Sequence, residues 1–119
     1  MTRPLAYISA PWGDDNLKNA TAAAGYCRQV YDAGSSPICP ALFMPAFLKG
    51  VAPAEVKDRK EMSDELLKRS RILVVCGDQV NDEVKSDIAL AKHCRIAYTT
   101  LDGILAVSKL DTALHGGKS

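Results

Sequence analysis

Apolar and polar positions fall into blocks whose period changes along the chain. "PLAYISA" (Pro4 to Ala10) is a short apolar run that stops at "PWGDD", which predicts a buried strand followed by a turn. Asp14 or Asp15 can cap the helix that follows. In that helix Leu17, Ala20, Ala24, Cys27 and Tyr31 recur at helical spacing, and Gly34 suits its end. "SPIC" (Ser36 to Cys39) predicts a second short strand. The apolar, proline-punctuated segment from Pro40 to Pro53 is expected to be a loop, too broken for a regular element.

The second half repeats the alternation. Pro53 to Ser70 predicts a helix with Pro53 near its first position and Val56, Met62, Leu66 and Leu67 as the buried stripe. "RILVVCG" (Arg71 to Gly77) is the clearest strand, and its unbroken apolar run suits a strand covered on both faces. Val80 to Cys94 predicts an amphipathic helix that opens with acids, and "RIAYTT" (Arg95 to Thr100) a fourth strand. Leu101 to Leu114 is a weaker helical stretch, read as one helix or two short pieces, before a frayed "HGGKS" tail. Strands alternating with helices imply an α/β fold: a three-layer Rossmann-like sandwich with a central, mainly parallel sheet of four to five strands. One domain, residues 1–119, is expected. In such sheets ligands bind beyond the carboxyl ends of the strands, here Ser9–Gly13, Cys39–Met44, Gly77–Asn81 and Thr99–Asp102.

Composition narrows the function classes. With 47% hydrophobic and 24% charged residues the 119-residue chain is globular. A net charge of +1 argues against a dedicated nucleic-acid or membrane-surface binder, while leaving room for a small basic patch. No stretch approaches the ~20 apolar residues of a membrane span. The four cysteines lack CxxC spacing and there are two histidines, so no metal site is expected. Cys76 and Cys94 sit in apolar contexts and read as core thiols, and a cytoplasmic location is expected. The opening residues hold too short an apolar run for a signal peptide.

Four places invite chemistry. The turn after the first strand has small residues and backbone amides facing a helix start, which can cradle an anion; it also reads as a plain strand-to-helix turn. It is not a GxGxxG loop. The terminal "GGKS" is not a phosphate loop, because Thr112 stands where that motif needs glycine. Asp64 is a helical acid that can reach the sheet edge or simply face solvent. Asp87 stands beside the stripe of Val84, Ile88 and Ala91. It can act as a nucleophile or general base, or serve as an acid favoured near a helix N-terminus.

The combined run "YISAPWG", then Asn19, "CRQVYDAGSSPICPALFMPAFL", "ELLKRSRILVVCGD" and "DIALAKHCRIAY" resembles the nucleoside 2-deoxyribosyltransferase-like superfamily, closest to its small uncharacterised DUF4406- or DUF7768-type branch. The resemblance covers roughly residues 4–104. It implies cleavage of the N-glycosidic bond of deoxynucleosides or their monophosphates by a carboxylate nucleophile, with no cofactor. By resemblance Asp87 occupies the nucleophile position of a pattern small-x-Gly-Met-x-x-Glu-Ile-x-x-Ala, and Asp64 the first acid of a D-x-x-L-x-x-x-D pattern. By the same resemblance Tyr7 would lie near the sugar and position Asp87 by a hydrogen bond. Ser9, Ala10, Pro11 and Gly13, with Asn19 and Gly77, would bind substrate.

The sequence departs from the pattern at four positions: Asp87 replaces Glu, Glu83 replaces Gly, Val84 replaces Met, and Arg71 replaces the second acid. A non-catalytic nucleotide-binding or interaction module is the alternative these changes favour. The resemblance also implies a homodimer or higher homo-oligomer. The apolar segment Ala41 to Leu48 is the expected contact surface, being too apolar to lie bare in water.

Overall fold

The computed structural model describes residues 3–11, 16–48, 52–77 and 80–114. The expected Asp14 or Asp15 cap, Gly13 and the tail after Leu114 lie outside them. Four strands, β1 (Leu5–Ser9), β2 (Ser36–Ile38), β3 (Ile72–Val75) and β4 (Ala97–Thr100), form one sheet in the order β2-β1-β3-β4. All pairings are parallel; Ala6 faces Ile72, and Ile72 faces Ala97 across the ladder. Pro37 lies in β2, an edge strand, where a missing N–H donor is tolerated.

Among the described residues the α-helices are α1 (Asn16–Asp32), α2 (Pro40–Phe43), α3 (Pro53–Lys68), α4 (Asp82–His93) and α5 (Leu101–Leu114). They divide between the two faces of the sheet, and alternation along β1 and β3 sets the division. Ala6, Ile8, Val74 and Cys76 pack with Ala23 and Val30 of α1, joined by Leu101 and Ile104 of α5. Tyr7 and Leu73 pack with Leu67 of α3 and Ala91 of α4. The result is the expected three-layer sandwich, with four strands, all parallel.

Two local expectations need correction, and one open alternative is resolved. The segment after Cys39 is not a plain loop. Pro40 begins the single turn of α2, where its lack of an N–H costs nothing, and a 3-10 turn follows over Met44–Ala46. Residues 101–114 form one continuous helix. Gly103 does not interrupt it: its N–H donates to Thr100 Oγ1 at 3.0 Å, and a Cβ at that position would collide with Thr99 Oγ1. Glycine there reflects close approach to β4. In α3 the buried stripe is Ser63 and Leu67 with half-buried Leu66, whereas Val56 and Met62 are each 37% exposed.

Leu67 has no exposed surface and joins α3 to both Tyr7 and Leu73. Leu67→Ala is expected to cost about 2–5 kcal/mol of stability, read from urea unfolding, because a large side chain is lost where the surroundings cannot collapse.

Candidate functional site

The residues at the carboxyl end of β1 set the site. Tyr7 and Ser9 project toward the α3–α4 layer, on the opposite face from Ala6 and Ile8. α4 starts at a side-chain cap, Asn81 Oδ1 accepting from the Val84 N–H at 3.0 Å, and Val84 is fully buried. That anchor places Asp87 over β1. Ser9 Oγ donates to Asp87 Oδ2 at 2.7 Å. Between α3 and α4, above Tyr7, lies a cleft of about 210 Å³ lined by Arg59, Lys60 and Ser63 from one helix and Glu83 and Asp87 from the other.

Around the cleft Asp64, Glu83 and Asp87 meet two cations, and their pairing is selective. Lys60 Nζ bonds both oxygens of Asp64, at 2.7 and 3.0 Å. Arg59 Nη2 bonds Glu83 Oε1 at 3.2 Å. Asp87 makes no salt bridge among the described residues; its contact is the neutral Ser9 hydroxyl. Burial is the main reason that its carboxyl is pushed up to about 6. The Ser9 bond and the Lys60 charge act the other way, while Asp64 and Glu83 add to the rise. Burial also raises Glu83, opposed by Arg59 and Lys60. The phenol of Tyr7 is raised strongly, first by burial and then by the nearby Asp87 charge, with Ser63 as its hydrogen-bond partner.

Tyr7, Ser9 and Asp87 come together at the carboxyl end of β1, and Asp64 sits at the margin, close enough for its charge to act on both Tyr7 and Asp87. One expectation is corrected: the hydroxyl that holds Asp87 is that of Ser9, whereas Tyr7 turns to Ser63. Ala10 is buried. Pro11 and Gly77 meet each other and do not line the cleft: Gly77 has φ +96 and lies against the Pro11 ring and the Tyr26 hydroxyl, on the α1 side of the sheet. Asn19 belongs to α1, on the other face of the sheet. Arg59, Lys60 and Ser63 were not anticipated. Arg59, Ser63 and Leu67 recur at four-residue spacing, so a small polar residue within the buried stripe of α3 was the available signal.

A parallel sheet between two helical layers, with Asp87 of α4 held by Ser9 at the carboxyl end of β1, is a Rossmann-like α/β arrangement. The solved 2-deoxyribosyltransferase of the psychrotolerant bacterium Bacillus psychrosaccharolyticus is similar in fold, with a TM-score of 0.66 at 11% identity, over 81% of this chain and 70% of that one. A family model described as a domain of unknown function, DUF7768, matches residues 4–101, and the chain belongs to that family. Of the two branches considered, DUF7768 is therefore the one supported, not DUF4406. No curated protein matches. Among the described residues no helix is long and apolar enough to cross a membrane.

The raised carboxyl has a stability consequence whose sign is fixed. Asp87 is protonated in both folded and unfolded chains below its ordinary 3.8; the folded state loses stability as pH climbs from there to about 6, and the penalty is constant above that. Asp87→Asn should therefore match the wild type in stability below pH 4. Above pH 7 it should exceed it by about 1–3 kcal/mol, measured by urea unfolding across pH.

Proposed function

We propose that this protein cleaves the N-glycosidic bond of a nucleoside or nucleotide through Asp87, as an N-glycosidase or deoxyribosyltransferase. The observation that carries this reading is the Ser9–Asp87 hydrogen bond inside the cleft. It holds Oδ2 and leaves Oδ1 to attack the anomeric carbon. As the new C–O bond forms, the C1′–N bond breaks, its electron pair goes to the base, and the base takes up one proton. The Lys60–Asp64 pair at the margin orients the base and delivers that proton. Water, or a second base, then displaces the carboxylate from C1′. A carboxyl near 6 is mostly ionised at neutral pH yet more basic than an ordinary aspartate, which suits a nucleophile.

In this reading Tyr7 floors the sugar site. Glu83, the glycine position of the superfamily pattern, is drawn to Arg59, which lessens its repulsion of an anionic substrate. No cofactor is required. The fold resemblance and the exposed Leu42, Phe43 and Phe47, the two phenylalanine rings 6.5 Å apart, favour a homo-oligomer built on the segment after β2. Four free cysteines accord with a reducing, cytoplasmic setting.

A second reading, a nucleotide-binding module without turnover, is favoured by one observation: Glu83 and its arginine occupy cleft wall that glycine would leave open.

Incubation with deoxynucleosides and their monophosphates should release free base, read by chromatography. Asp87→Ala should lower the rate on the order of 10³-fold. The rate should rise with pH through about 6, following ionisation of Asp87. Thermal stabilisation by nucleotides with no base release would instead establish the binding module; a ligand at 100 times its Kd adds about 2.7 kcal/mol. Ser9→Ala should lower kcat and move the acidic limb of the pH profile upward, because the Ser9 bond is one of the two influences lowering the Asp87 carboxyl. An unmoved limb would exclude the positioning role.

A further inference from the structure

At the opposite end of the sheet, where the strands begin, lies a second and larger cleft of about 580 Å³. Four arginines line it: Arg3 before β1, Arg69 and Arg71 before β3, and Arg95 before β4. β1, β3 and β4 are adjacent parallel strands, so residues just ahead of them form a row with roughly 4.8 Å between neighbouring strands. The Arg71 N–H bonds Leu5 O at 2.8 Å, which seats the start of β3 beside β1. With 15 basic against 14 acidic residues in the whole chain, four guanidinium groups around one cleft are a marked segregation of charge.

Two of the four are engaged. Arg69 pairs with Glu65 at 2.9 Å, and Arg3 bonds Tyr31 O at 2.7 Å with its guanidinium over the Tyr31 ring. Arg71 and Arg95 have no acidic partner among the described residues. Arg95 carries a further mark. It closes α4 in the left-handed conformation, φ 59, with its N–H on Lys92 O and the Ile96 N–H on Ala91 O. That closing position ordinarily belongs to glycine. An arginine there sacrifices backbone comfort and brings a fourth guanidinium to the cleft.

The helix ends nearby, those of α3 and α4, are carboxyl ends and offer no N–H groups to an anion, so the guanidinium groups must do the binding. Arginine forks match phosphate oxygens in pairs. Pro4, Leu5 and Ile96 add apolar wall to the same cleft. A concave pocket of this volume, within the roughly 300–1,000 Å³ of small-ligand sites, fits a compact polyanion better than an extended strand.

We propose that this arginine cleft binds a nucleoside di- or triphosphate, with the phosphates on Arg71 and Arg95 and the base against Leu5 and Ile96. The site is separate from the Asp87 cleft and stands or falls independently of catalysis there.

The test is titration of the full chain at low ionic strength with ATP and with inorganic tripolyphosphate, by calorimetry and by ¹H–¹⁵N NMR. Saturable binding of both is expected, tighter for ATP, with amide shifts at Leu5, Ser70, Arg71 and Ile96. Arg95→Gly and Arg71→Gln should each weaken binding at least tenfold. Arg95→Gly should keep or raise the melting temperature, since glycine prefers that backbone; a merely structural arginine would lower it. Asp87→Asn should bind both probes as the wild type does at this cleft. The proposal is overturned by absence of saturable binding, by binding that both arginine variants leave intact, or by shifts confined to the Asp87 cleft. Preference for a single-stranded oligonucleotide, growing with its length, would also overturn it by marking a nucleic-acid surface.

Discussion

Helices cover both faces of β1, and the site depends on which of its residues meets which layer. Ala6 and Ile8 turn to α1 and α5, while Tyr7 and Ser9 turn to α3 and α4. A shift of one residue would exchange the two sets and put Ile8, which is 1% exposed, where Ser9 meets Asp87. The fully buried Leu73 and Leu67 hold Tyr7 in this orientation. The packing that stabilises the sandwich thus also aims the hydroxyl that holds the carboxylate.

Around that carboxylate the charges are sorted rather than pooled. Lys60 takes Asp64 and Arg59 takes Glu83, both through geometry available on or between α3 and α4. Asp87 is left with a neutral donor in a largely desolvated place. A cation in direct contact would have lowered its carboxyl toward the range of a simple ion pair. Burial without such a partner raises it instead, at some expense of stability. That combination of perturbed carboxyl and open cleft is common at functional sites.

The two ends of the parallel sheet have different chemistry for one topological reason. Parallel strands all begin at one edge and end at the other, so residues just before several strands gather at one end and those just after gather at the other. Arg3, Arg71 and Arg95 share the first position, and Ser9 the second. Arg71 shows how a single position is read differently in each context. Against the superfamily pattern it is a lost acid, whereas in the sheet it belongs to a basic cleft.

Much of this was legible in the chain. Unbroken apolar runs at Pro4–Ala10 and Arg71–Gly77 marked the central strands, because a strand covered on both faces has no polar side. Periodicity located α1, α3 and α4 within a few residues. Elements at which a local signal competes with packing were harder to read. Pro40 looked like a breaker and begins a helix. Val56 and Met62 had the spacing for burial and remain exposed, because spacing names a face without saying whether anything covers it. The order of elements and the α/β class were therefore set by the sequence, and the resemblance singled out Asp87 as a candidate among its neighbours. The Ser9–Asp87 bond joins residues 78 positions apart, and the arginine cleft gathers residues from the starts of three strands. Only the tertiary structure decided these, because neither local periodicity nor spacing carries information about which distant side chains a sheet will set side by side.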